Sequence, residues 1–274
     1  MFLIPHLSLW IAALGLVSAV AWHVTLGPSA ERFTWLNQLA SHWPAAWWDG
    51  ITHLGDTQIA LALMLPLMLW RATPVLALVA AIPVGGLGSM LLKAWFDSPR
   101  PAAVLPPDAL HVIGRVLTQH SFPSGHSITA FAVAAAVWLG LRHQARASRT
   151  VQTLRVLVFA VACLVALSRV AVGAHWPIDV IAGACFGWLA GASGVALVQW
   201  RAAFWYGSWW PHAVLALGLL LAWTGWSKHH LTLGGWMTWL ALASAMTTAG
   251  LVWLLGWRFR LDATPNHPSC VKKS

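Results

Sequence analysis

Charge is what this sequence has least of. Only 8% of its 274 residues are charged, and the whole chain holds 7 acidic side chains. A soluble domain of this size carries about 25% charged residues. With 59% hydrophobic residues, the composition excludes a soluble globular protein and points to an integral membrane protein. The apolar runs are continuous rather than alternating, which argues against a β-barrel. The expected fold class is therefore all-α, a polytopic transmembrane helix bundle. Cysteine is nearly absent as well, with 3 in the chain. Cys163 and Cys185 fall inside apolar runs and Cys270 lies in the polar tail. Their spacings fit neither a disulfide framework nor a zinc site, and imply no redox chemistry. No basic run of five or more residues exists, so the net charge of +9 is not a nucleic-acid signal. No internal repeat or low-complexity segment stands out.

Tryptophan, by contrast, is abundant, at 21 residues. Trp22, Trp47, Trp48, Trp70, Trp95, Trp176, Trp200, Trp209, Trp226, Trp236 and Trp257 lie near the ends of apolar runs, as an interfacial aromatic belt requires. A span across about 30 Å of hydrocarbon needs about 20 apolar residues. Eight candidates meet or approach that length, at about 7–26, 51–70, 74–93, 124–141, 156–174, 177–199, 210–226 and 236–257. The first run precedes Ala19-Val20-Ala21, which resembles a signal-peptidase site. No Lys or Arg precedes that run, so it is read as an uncleaved first helix. The stretch 32–48 is too short and too polar to span, and reads as an interfacial helix or loop. A polar, proline-rich connection covers 94–123.

Placing the N-terminus in the cytoplasm puts Arg71, Arg142, Arg146, Arg149, Arg155, Arg201, Arg258, Arg260, Lys272 and Lys273 on the cytoplasmic side. Arg32, Lys93, Arg100, Arg115, Arg169 and Lys228 then lie opposite. This bias satisfies the positive-inside rule with both termini inside. It also gathers three polar clusters on the non-cytoplasmic face, in a chain where such residues are rare.

The first cluster ends the third span. Lys93 can snorkel out of the bilayer. Arg100 stands between Pro99 and Pro101, which stiffen the chain and present its planar guanidinium to an anion at little entropic cost. The second cluster, Pro123-Ser124-Gly125-His126, opens the fourth span. Ser124 suits an N-cap, and Gly125 lets an anion approach the backbone N–H groups of a helix N-terminus. His126 in the first turn can donate a proton to a bound phosphoester. The third cluster bridges the fifth and sixth spans. Arg169 precedes His175 and Asp179, which are four apart around Pro177, a residue suited to a first helical turn. An Asp hydrogen-bonded to one imidazole nitrogen fixes the tautomer and leaves the other nitrogen free to attack. Each cluster alone also has a bland reading: interfacial cations, a plain N-cap, a polar pair packing two helices. Ionisable groups at membrane depth are costly, however, and mark function by default.

Together the clusters read Lys-x6-Arg-Pro, Pro-Ser-Gly-His and Ser-Arg-x5-His-x3-Asp, in that order. This pattern resembles the type 2 phosphatidic acid phosphatase superfamily, which also includes bacterial acid phosphatases and vanadium haloperoxidases. The resemblance covers about residues 7–199, and each motif falls at the matching place among six spans. It implies that His175 is the nucleophile forming a phosphohistidine, that Asp179 orients it, and that His126 is the general acid. It further implies that Lys93, Arg100, Ser124, Gly125 and Arg169 hold the phosphoryl oxygens. The family needs no metal, and the sequence offers no carboxylate pair or His/Cys cluster for one; no cofactor is expected.

Residues 1–200 are thus expected to form the six-span core, and 201–274 to add two transmembrane helices and a cytoplasmic tail. Lys228, His229 and His230, between the last two spans, read as ordinary interfacial residues, and Asp56 as structural. The leading reading is a membrane lipid phosphatase in a bacterial inner membrane, with its active site facing the periplasm or exterior. Its candidate substrates are undecaprenyl diphosphate, phosphatidic acid, phosphatidylglycerol phosphate and lipid A phosphate. A lipid phosphotransferase would use the same pocket. A non-catalytic lipid-phosphate binding or transport protein would not need both His residues and the Asp. The membrane setting argues against a haloperoxidase.

Overall fold

The computed structural model describes residues 3–142, 148–207, 209–229 and 235–254. Arg146, His230 and the tail from residue 255, with Cys270 and Trp257, lie outside them, as do the side chains of Lys228, His229, Trp226 and Trp236. The described residues form helices and loops, with no strand among them. The continuous apolar runs produce the long helices: α1 (Leu3–Thr25), α5 (Thr73–Phe96), α8 (Arg149–Ala171), α9 (Pro177–Trp200), α11 (Trp210–His229) and α12 (Gly235–Leu254). Shorter helices fill the remainder: α2 (Ala30–Ala40), α3 (Ala45–His53), α4 (Thr57–Met64), α6 (Pro101–Val104), α7 (Gly125–Gly140) and α10 (Ala202–Trp205). A 3-10 segment, Leu65–Leu69, continues α4.

Helix α9 is the axis of the bundle, in contact with α1, α5, α7 and α8. Its sequence explains the position. Gly183, Gly187, Gly191 and Gly194 recur at helical spacing, and a Cβ built on any of them meets backbone of α7 or α5 or the residue just before α7. Small residues let membrane helices approach to backbone contact, where dispersion replaces the missing hydrophobic force. The facing side of α7 is alanine-rich for the same reason, with Ala132, Ala135 and Ala136 buried against it. Helices α11 and α12 pack on each other, and α12 packs on α3, α4 and the 3-10 segment. Val214, Leu221, Ala241, Ala245 and Val252 share one buried cluster with Ile59, Leu65, Val75 and Val137. The last two helices are thus seated on the bundle.

Two spans depart from expectation. The run expected to cross at 51–70 is broken: Ala45–His53 and Thr57–Leu69 meet at a bend of 69°. Asp56 caps the second piece, its carboxylate accepting from Gln58 N at 2.9 Å, so a new helix starts where a continuous one was expected. The span expected at 124–141 is a helix of 16 residues, about 24 Å long. It is short because its first turn begins at a buried site, Ser124 being fully buried, and the loop 97–123 supplies the missing depth above it. Among the described residues, five helices are long and apolar enough to cross a membrane, or six with the bent pair; Gly125–Gly140 and His212–Leu221 are shorter apolar helices.

The tryptophan belt needs a correction too. Trp95, Trp200, Trp47 and Trp70 are exposed as expected, but Trp176 and Trp48 are buried. Trp176 donates its indole N–H to Pro99 O at 2.9 Å, and Trp48 donates to Ala40 O at 2.9 Å. Each ties one segment to another rather than anchoring to headgroups.

Candidate active site

The loop 97–123 folds back across the helix ends because its two limbs pair. Asp97 ends α5 in a left-handed conformation, φ 38°. Arg100 N donates to Thr118 O, and Ser121 N to Ser98 O, each at 2.9 Å. Arg100 is extended, φ −84° and ψ 164°, as a residue before proline must be. Its guanidinium is buried. Nε donates to Gln119 O at 2.8 Å and Nη1 to Ala174 O at 2.9 Å, and Nη1 also lies 3.2 Å from His175 Nε2. Lys93 Nζ donates to His120 O at 2.9 Å, and Arg100 Nη2 reaches the same carbonyl at 3.4 Å. The first and third clusters therefore meet at His175.

His175 sits in the short connection between α8 and α9. Its amide, like that of Ala174, donates to Arg169 O at 3.1 Å, so the end of α8 fixes the turn. The residue is 2% exposed. Burial pushes its pKa well below the ordinary imidazole value, and the nearby charges of Arg100, Arg169, Lys93 and His126 add to the effect. The ring is thus neutral at physiological pH. Asp179, in the first turn of α9, places Oδ2 3.5 Å from His175 Nδ1. This is electrostatic contact rather than the hydrogen bond expected from the sequence. The reason is competition: Oδ2 already accepts from Ser121 Oγ and from Trp176 N.

The second cluster joins through the backbone. Ser124 N donates to Asp179 O at 3.0 Å, which pins the start of α7 to the start of α9. Ser124 occupies the N-cap position but makes no cap hydrogen bond. Its Oγ is buried without a protein partner, as is Arg169 Nε. That differs from the capping role expected of Ser124: the hydroxyl is held at the site, not spent on the helix. Gly125 has open space where a side chain would stand. His126 follows in the first turn and is close enough to His175, Arg169, Lys93 and Arg100 for their charges to interact. The structure therefore brings all eight residues singled out by the sequence to one end of the bundle.

Sequence reasoning missed four supports. Ser121 holds Asp179. Thr52, from the end of α3, accepts from Arg169 Nη1. His53 beside it approaches His126 and, with Asp49, repeats the i,i+4 spacing of the site's own pair, Nδ1 to Oδ1 3.7 Å. Asn37 of α2 is fully buried and donates to His111 O, Val170 O and Ala171 O, while His111 N donates back to its Oδ1. It clamps the end of α8 to the loop. Its only signal in the sequence was its place between Phe33 and Ala40 on one helical face.

An apolar groove of about 380 Å³ runs from His126 and Gly125 between α4, α5 and α7, past Gly85, Gly86 and Met90. Among the described residues no group of three or more His, Cys, Asp or Glu is placed to hold a metal ion.

The chain is similar to known membrane phosphatases. The phosphatidylglycerophosphatase B of Bacillus subtilis (strain 168) is 27% identical over 190 residues, covering 64% of this chain and 86% of that protein. The crystal structure of LpxE from Aquifex aeolicus is 26% identical, with a TM-score of 0.52 over 61% of this chain and 93% of that one. The fold is also that of a transmembrane PAP2 type phosphatidylglycerolphosphate phosphatase from Bacillus subtilis, 23% identical, with a TM-score of 0.54 over 71% of this chain and 96% of that one. The family model of the PAP2 superfamily matches residues 74–204. That segment contains Lys93, Arg100, Ser124, Gly125, His126, Arg169, His175 and Asp179, so the motif residues that converge in the structure all lie within the part of the chain that the PAP2 superfamily model matches.

Proposed function

We propose that this protein is a membrane lipid phosphatase that hydrolyses a phosphomonoester or pyrophosphate of a lipid headgroup through a phosphohistidine. The observation that carries the reading is the setting of His175: neutral and buried, its Nε2 lies 3.2 Å from the Arg100 guanidinium, with His126 and the apolar groove beside it. Nε2 attacks phosphorus while the bond to the leaving oxygen breaks, and His126 protonates that oxygen. Water then attacks the phosphohistidine, gives a proton to His126 and releases phosphate. Asp179 stabilises the imidazolium that forms. Arg100, Arg169, Lys93, Ser124 Oγ and the amides at Gly125 hold the phosphoryl oxygens as charge develops. These groups suffice for the chemistry, which supports a metal-independent reaction.

The groove favours a lipid over a soluble ester, because its walls accept an acyl chain whose headgroup reaches His126. The proposed setting is a bacterial inner membrane with the site facing the periplasm or exterior, an orientation that the arginine bias at the other end of the bundle supports. Residues 1–200 supply the catalytic core, and 201–274 the two added helices and a cytoplasmic tail. The Bacillus relative's name makes phosphatidylglycerol phosphate the first substrate to test, ahead of phosphatidic acid, undecaprenyl diphosphate and lipid A phosphate. A phosphotransferase would differ only in the acceptor that meets the phosphohistidine.

The test is phosphate release by purified protein from vesicles carrying each lipid, with a chelator present. Release that survives chelation, stops with vanadate and vanishes in His175→Ala is expected. Activity persisting in His175→Ala would sink the nucleophile assignment. Transfer to an added lipid alcohol without phosphate release would favour the transferase.

A further inference from the structure

The end of the bundle opposite the site carries a second feature. An apolar groove of about 400 Å³ lies between α1, α7, α8 and α9, lined by Phe131, Trp138, Phe159, Cys185 and Trp188. The rings brace one another, with Trp138–Phe159 centroids 6.1 Å apart and Phe159–Trp188 6.0 Å apart. The Arg155 guanidinium caps this wall, 4.3 Å over the Trp138 ring. Its Nη1 donates to Gln152 Oε1 at 3.1 Å, and its Nε is buried without a protein partner. Arg155 precedes Arg169 by 14 residues of α8, about 21 Å along the helix axis. Trp138 follows His126 by 12 residues of α7, about 18 Å. The groove therefore opens toward the leaflet away from the site.

Among the described residues, charge at this end has one sign. Arg71, Arg142, Arg149, Arg155 and Arg201 stand at this end of the helices, whereas Glu31, Asp49, Asp56, Asp97, Asp108 and Asp179, the acidic residues among those described, all stand at the end that carries the site. A cation above an apolar, membrane-facing slot matches an anionic headgroup with its acyl chain below.

We infer that the aromatic groove holds an acyl chain of an anionic phospholipid whose phosphate is bound by Arg155, in the leaflet opposite the catalytic site. Aromatic walls grip the chain by dispersion, and Arg155 selects the headgroup by net charge. The site is independent of the proposed reaction.

The experiment is native mass spectrometry of the full chain in detergent, with phosphatidylglycerol and phosphatidylcholine of equal chain length in competition. Wild type is expected to retain phosphatidylglycerol about fivefold more often, the ratio that one basic side chain near a headgroup confers. Arg155→Gln should bring the ratio near unity, while Arg201→Gln, an equal charge change away from the groove, should leave it. Ala184→Phe, which fills the groove with Arg155 intact, should lower retention of both lipids. An unchanged ratio in Arg155→Gln, an equal fall in Arg201→Gln, or full retention in Ala184→Phe would overturn the inference. A ratio that falls only in Arg100→Gln would also overturn it, by placing the lipid in the catalytic pocket.

Discussion

Gly55 offers the sharpest handle on the site, because it touches His126 without any chemistry of its own. It stands in the break between α3 and α4, and a Cβ built on it lies 2.8 Å from His126 Cβ and 2.6 Å from Val165 Cγ1. Carbon atoms rest about 3.8 Å apart, so Gly55→Ala must open roughly 1 Å between these partners. Val165 can rotate its methyl groups. His126 Cβ cannot move without α7, which is packed to backbone contact on α9. The displacement therefore falls on His126, or on the bend that faces it. A misplacement of about 1 Å at a reacting group costs about 100-fold in rate. If His126 is the general acid, the loss depends on the leaving group. A short-chain phosphatidic acid, with an alkoxide leaving oxygen, should lose about 100-fold in kcat. An aryl phosphate, whose phenolate needs little protonation, should lose far less. Gly50→Ala is the control: it lies in the same helix α3, with nothing within 4 Å of its Cβ, and should match wild type or gain about 0.5–1 kcal/mol of stability. Equal losses on both esters, or unchanged kcat in folded Gly55→Ala, would refute the role given to His126.

Other perturbations test the remaining parts. Arg100→Lys strands the carbonyls of Gln119 and Ala174 and removes the fork facing His175, so kcat/KM should fall about 100- to 1,000-fold while the protein stays folded; a fall under tenfold would show that Arg100 is not at the transition state. His175 is held well below its ordinary pKa by burial first and the neighbouring cations second, so the acid limb of kcat/KM should lie below pH 6.5. For stability the sign is fixed: between the lowered native pKa and the unfolded value near 6.5, the unfolded chain binds more protons, so stability falls as pH drops below about 6.5 and is unaffected above it. Thermal unfolding at pH 5 and 7.5 should show that loss in wild type and less of it in His175→Gln. Gly187→Ala drives a methyl group into the Ile128 backbone of α7, which cannot rotate away; a cost of about 1–3 kcal/mol is expected, read as a lower Tm in detergent, and an unchanged Tm would contradict the close α7–α9 packing.

The long spans and the three motifs were legible because each carries a dense local signal: continuous hydropathy in one case, rare polar residues at fixed spacing in the other. What escaped was everything that depends on depth. The break at Gly55 hides inside an apolar run, since hydropathy does not register a 69° bend when both pieces are apolar. Trp48 and Trp176 sit at run ends like their exposed counterparts, and only the fold decides which indoles find carbonyls inside. Asn37, Thr52 and Ser121 are common polar residues in unremarkable positions, and their partners lie 58 to 134 residues away. That Ser124 takes the N-cap position without a side-chain cap hydrogen bond escaped for the same reason. An N-cap is a local inference, and whether its hydroxyl turns to the helix or to the site is settled by the neighbouring α9.

The same contrast accounts for how a short helix serves a membrane site. A phosphate pocket at the outer surface would need no shortening of α7, but it would leave the acyl chain of a lipid ester hanging beside the bundle. On the proposed reading, starting α7 lower would let a lipid headgroup descend while its chain stays in hydrocarbon. This leaves polar backbone at membrane depth, tolerable only where protein encloses it. Helix α9 meets that requirement from one side: Asp179 O takes the amide of Ser124, and Gly183 admits its carbonyl closely. The paired limbs of the loop 97–123 meet it from above, with Asn37 holding the loop to α8. The bend at Gly55 meets it from the third side, by bringing Thr52 and His53 inward where a straight span would have passed by. The broken second span and the short fourth are thus one adaptation, and the helix that binds them is the glycine-lined α9.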